Sequence, residues 1–161
     1  MKKITISLST NDLEMLAGMF ENYKQVIDSK ADELAEALAK VGKESAELGF
    51  AQAYYDGNND VKVDYQHRGD GVYAVIADGN AATFIEFGAG LIGYGHPEPH
   101  GMTPGSYSTT VGKGLWANPE GWIYEHHSPR SHGNPPAMAM YNAKKEIETR
   151  IMYIAEGVLQ F

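Results

Sequence analysis

One apolar stripe dominates the first third of the chain. Leu13, Leu16, Phe20, Tyr23, Ile27, Ala31, Leu34, Leu38, Val41, Ser45 and Leu48 recur at steps of three or four. That period is the signature of a single helix with one buried face. The segment carries no proline, so it predicts a helix of nearly forty residues, about 57 Å long if unbroken. Asn11, with Glu14 three residues on, fits a capping-box start. Gly18 and Gly42 weaken the helix slightly, and Asp28-Ser29 is a place where it can break. The other face is acidic, with nine Asp or Glu against four Lys between Asn11 and Ala53. The stripe also fits a coiled-coil seam, but packing on the chain's own sheet is the simpler account.

Strand patterns flank this helix. Ile4, Ile6 and Leu8 alternate with Thr5 and Ser7, which predicts a short first strand. Asp56-Gly57-Asn58-Asn59 marks a turn. Val61, Val63 and Tyr65 then alternate with polar residues, a half-buried strand. Arg68-Gly69-Asp70-Gly71 turns the chain into a strand over 72–77, and Asp78-Gly79-Asn80 turns it into a third over 83–87. Hairpin connections make such a sheet antiparallel. Pro135-Pro136 begins a last helix, proline being tolerated at the first helical position. Met140, Ile147, Ile151, Ile154 and Val158 mark its buried stripe. The expected class is α+β: one domain over 1–161, with a long N-terminal helix and a C-terminal helix packed on an antiparallel sheet of three to four strands.

The stretch between sheet and last helix is different in kind. All seven prolines lie between Pro97 and Pro136, and ten of the eighteen glycines between Gly88 and Gly133. The 49 residues from Gly88 to Pro136 carry only five Asp, Glu, Lys or Arg, yet hold both tryptophans. Loops over about 15 residues without structure of their own are usually functional or disordered, and disorder avoids aromatics. Residues 88–135 therefore read as an extended interaction loop. Its aromatics Tyr94, Tyr107, Trp116, Trp122 and Tyr124 are the candidate partner interface, because Trp and Tyr dominate interface energetics.

Enzymatic motifs fail on their context. Five of six histidines (His96, His100, His126, His127 and His132) fall in or beside this loop, but their spacing builds no compact metal site. The two prolines of His96-Pro97-Glu98-Pro99-His100 forbid a zincin helix. Gly88-Ala89-Gly90-Leu91-Ile92-Gly93 matches G-x-G-x-x-G, yet Tyr94-Gly95-His96-Pro97 ends any helix that would cradle a pyrophosphate. Gly112-Lys113-Gly114 lacks the remainder of a P-loop, and no G-x-S-x-G elbow is present. Glu86, within Phe84-Ile85-Glu86-Phe87, reads as a polar or salt-bridged residue on the second face of a strand. No cofactor, metal or catalytic residue is expected.

Composition narrows the class further. The chain of 161 residues has no cysteine, which excludes disulfides, thiolate zinc sites and thiol catalysis. Its formal charge of −8 argues against gripping nucleic-acid phosphates. No apolar run approaches the roughly 20 residues that span a bilayer, and the start alternates apolar with polar instead of forming a signal-peptide core. These features point to the cytoplasm.

Two segments carry a family resemblance. Phe84-Ile85-Glu86-Phe87-Gly88-Ala89-Gly90 resembles the V-E-F-G-T-G strand end of bacteriophage head–tail joining or tail-completion proteins, minor tail or minor capsid components of long-tailed phages and prophages. Gly133-Asn134-Pro135-Pro136-Ala137-Met138-Ala139-Met140-Tyr141-Asn142-Ala143 is similar to that family's proline-plus-apolar entry to its last helix. The order helix, meander, loop, helix agrees from about Ala31 to the end. The resemblance implies a non-enzymatic neck component, set in a homo-oligomeric ring (a hexamer in the virion, a monomer when free) between DNA-filled head and tail. It implies other neck and tail proteins as partners, no membrane, and assembly in the host cytoplasm. The rival readings are a tail terminator and a virion-associated, metal-dependent hydrolase built on the histidine-rich loop. As structural motif residues, Glu86, Gly88, Gly90, Pro135 and Pro136 are expected to shape the strand exit and the helix entry.

Overall fold

The computed structural model describes residues 9–89, 120–121 and 130–159. Helix α1 spans Thr10–Gln52, 43 residues without a break at Asp28-Ser29. Its length is about 64 Å. It starts earlier than the Asn11–Glu14 pairing implies. Ser9 is the cap, its hydroxyl accepting from the Asp12 amide at 3.2 Å. Asn59 holds the other end, its Nδ2 donating to the Phe50 carbonyl at 2.9 Å.

Strands β1 (Lys62–His67) and β2 (Tyr73–Asp78) form an antiparallel hairpin, Val63 opposite Ala77 and Tyr65 opposite Val75. A two-stranded hairpin is marginal alone, so its inner face needs α1. Val75 lies against Gly42, and the Tyr65 and Tyr73 hydroxyls donate to Glu36 and Asp32 at 3.0 and 3.3 Å. The meander ends there. Residues Ala82–Phe87, expected as a third strand, form a short helix, α2. Asp60 holds the turn that leads into this helix. Its carboxylate accepts from the Ala81 and Asn80 amides at 2.9 and 3.0 Å. The sheet of the described residues thus has two strands, not three or four. The first strand expected over Ile4–Leu8 lies outside the described residues.

Helix α3 spans Ala139–Val158 and runs antiparallel to α1, Ala139 against Gly49 and Ile147 against Gly42. A Cβ on Gly49 would stand 2.8 Å from the Ala139 Cβ, so glycine is what lets the two backbones approach. The buried line of α1 is therefore Ala39, Gly42, Ala46 and Phe50, small residues ending in one large anchor. The line of larger residues sits roughly 100° around the helix, one residue's rotation away. The core gathers Ala46, Phe50, Val63, Ala81, Ile85, Ala139 and Ala143 where α1, the hairpin, α2 and α3 meet. Burying Phe50 or Ile85 contributes about 1.5–3 kcal/mol each. On α3 the buried residues are Ala139 and Ala143. Ile151, expected in its core stripe, is 42% exposed, because α1 receives α3 through the alanine edge. Among the described residues no helix is long and apolar enough to cross a membrane.

Candidate functional site

The two segments that carry the family resemblance meet. Helix α2 ends with carbonyls that have no partner in the next turn, as every helix does. The extended chain before α3 supplies the donors. The Asn134 side-chain amide donates to the Phe84 carbonyl at 2.9 Å, the Ala137 amide to Ile85 at 2.8 Å, and the Met138 amide to Glu86 at 3.0 Å. Ala89 then bridges Asn134 in antiparallel fashion. Gly88 makes this exit possible with φ 77°, ψ 166°, a conformation open to glycine.

Glu86 completes the lock from its side chain. Met138, the cap position of α3, has a left-handed backbone and offers no side-chain cap. The exposed helical amides face Glu86 instead. Its Oε2 accepts from Met140 N at 2.9 Å and its Oε1 from Tyr141 N at 3.1 Å. A carboxylate at a helix N-terminus also meets the positive end of the macrodipole. Glu86 is nonetheless only 5% exposed. Burial pushes its carboxyl above the usual range, and the amides of Met140, Tyr141 and Ala139 pull it partly back. The expectation of a polar residue on an outer sheet face is corrected: Glu86 is a buried cap for a helix more than fifty residues away.

Pro135 and Pro136 sit inside the same lock, half-buried, and do not begin the helix. Helix α3 starts at Ala139, directly after the left-handed Met138, and the Ala137 and Met138 amides before it are spent on α2. Proline at both positions fixes φ and carries no backbone N–H. Beyond them, the Ser131 hydroxyl donates to Asp56 at 2.9 Å and accepts from the Gly133 amide at 3.2 Å. Sequence reasoning missed Asp60, Asn134 and Ser131, whose roles depend on partners 20 to 75 positions away. The turn chemistry of Asn59-Asp60 was the nearest available signal.

Tyr94, Tyr107, Trp116, Trp122, Tyr124 and Gly90 lie outside the described residues, as do His96, His100, His126 and His127. His132 is exposed. Among the described residues no three His, Asp or Glu side chains gather to hold a metal ion. The buried polar residues there are Glu86, Ser131 and Asn134, and each spends its polar atoms on backbone or on Asp56. Among the described residues, these groups fix the geometry of the junction between α2 and α3. It clamps together the two ends of the 88–135 segment at Ala89 and Asn134.

These features define a small α+β scaffold with a long helix and a clamped insertion. Comparison with protein-family models, curated proteins and solved structures returns no match to the chain.

Proposed function

We propose that this chain is a structural, non-enzymatic component of a bacteriophage neck, joining the DNA-filled head to the tail as one subunit of a homo-oligomeric ring. The observation that supports this most is the lock itself. The two segments resembling head–tail joining proteins, 84–90 and 133–143, are the segments that hold each other through Glu86, Asn134 and the amides of Ala137 and Met138. A clamped base gives the aromatic insertion fixed ends from which Trp116 and Trp122 dock on neighbouring neck and tail proteins. Buried carboxylate and amide groups are occupied in capping, which suits a part that carries load and not a reaction. The charge of −8 leaves passing DNA ungripped. The chain is assembled in the host cytoplasm and ends in the virion.

A phage deleted for this gene tests the proposal. The expected result is separate DNA-filled heads and finished tails. Heads joined to tails of uncontrolled length would assign a tail terminator instead, and normal infectious particles would overturn the neck role.

A further inference from the structure

The tip of the β1–β2 hairpin carries two charges that the fold does not use. The chain there runs His67-Arg68-Gly69-Asp70-Gly71-Val72. The Arg68 amide donates to the Val72 carbonyl at 2.7 Å, and the Val72 amide donates back to the Gly69 carbonyl at 2.9 Å. Residues 69–72 thus form a β-turn with Asp70 and Gly71 at its corners. Their φ values are 49° and 70°, and Gly69 before them has φ 93°. Positive φ at both corners is what a type I′ hairpin turn requires, and Asp-Gly is among the pairs that supply it.

Turn chemistry accounts for Gly69, Asp70 and Gly71. It does not account for Arg68, nor for the charge on Asp70, since Asn serves at that corner as well. Both charged side chains are exposed. Among the described residues neither has an ion pair or a side-chain hydrogen bond. The other titratable groups near the tip are occupied at its base. His67 faces Asp32 at 3.6 Å and lies against Tyr73, with ring centroids 4.7 Å apart, and the Tyr73 hydroxyl donates to the same Asp32. The unspent pair is one cation and one anion two residues apart, at most about 7 Å from Cα to Cα.

We propose that Arg68-Gly69-Asp70 is a recognition turn for a receptor that holds a divalent cation beside a carboxylate-lined pocket. The chemistry of each side chain selects that partner. A carboxylate oxygen is a hard ligand, and a divalent cation with an open coordination position takes it. The planar guanidinium pairs with carboxylates through two parallel bonds. Gly69 between them has no side chain to hold the receptor off. A partner of uniform charge would attract one of the two groups and repel the other. Three successive residues at positive φ fix the tip before binding, so little entropy is lost when it docks. This recognition stands apart from the neck role, because the turn lies on the hairpin and not on the clamp.

The probe is the purified ectodomain of an integrin, a cation-dependent receptor of Arg-Gly-Asp peptides, immobilised in manganese buffer. The full chain should bind it, a linear Arg-Gly-Asp peptide should compete, and a chelator should release the chain. Asp70→Asn keeps a residue that tolerates the left-handed corner and removes the carboxylate. It should weaken binding by about thirtyfold or more with the melting temperature kept, and Arg68→Ala should do likewise. A wild-type chain that does not bind, or binding that survives Asp70→Asn or the chelator, overturns the proposal and leaves the tripeptide a turn and nothing more.

Discussion

Glu86 shows how much one buried side chain organises here. Both its oxygens accept amides from the first turn of α3 while its own carbonyl accepts from Met138, so it ties α2 to α3 twice. Glu86→Ala should destabilise the protein by about 2–3 kcal/mol, since it leaves buried amides without an acceptor. Chemical denaturation measures this as a lower midpoint with an unchanged slope. The pH dependence has a definite sign. Burial is the main cause of the shift and raises the carboxyl above its ordinary value of 4.5. The folded state then holds the proton longer than the unfolded chain does. Glu86's contribution is fully present below its ordinary value and is lost as pH rises through the folded one. The stability of wild type relative to Glu86→Gln should therefore fall across that interval, and a flat difference would mean that burial does not perturb the group. None of this was legible at Glu86 itself. Phe84-Ile85-Glu86-Phe87 alternates like a strand, and the donors that make it a cap lie beyond position 138.

Among the elements, α1 separates what sequence patterns show from what they hide. Its existence, length and acidity were legible because a 3.6-residue period over forty positions has no other reading. Its packing face was not. The largest apolar residues suggested the core line, but close helix approach selects Gly42, Ala46 and Gly49, whose smallness is a virtue only once a partner helix is known. The same logic moved Ile151 outward and Ala143 inward on α3. Two glycine substitutions in α1 should therefore act oppositely. Gly49→Val meets Ala139 at once and should cost about 1–3 kcal/mol through overpacking. Gly18→Ala meets nothing within 4 Å and should raise local helix stability by about 1 kcal/mol. Thermal unfolding reads the first, and amide exchange along residues 14–22 reads the second. Strand β1 and strand β2 were legible from alternation and turns, whereas α2 was not, because six residues are too few for periodicity to decide.

At the scale of the whole molecule, the described residues build one core on the C-terminal half of a long helix. The core, the hairpin and α3 all gather on residues 32–53 of α1, and the clamp between 84–89 and 133–141 closes the insertion beside them. The α+β class was legible from the order of patterns. The clamp was legible only as two separate motifs, since no local rule says that Asn134 finds Phe84. At the start of α1 the side chains of Leu13, Phe20 and Ile27 are largely exposed. A neck component must reside at the head–tail junction. Gold-labelled antibody against this chain, imaged on purified virions, measures that directly. Label at the head–tail junction of DNA-filled particles is the expected result; virions that carry no copy of the chain, or carry it only at the tail tip, would contradict it.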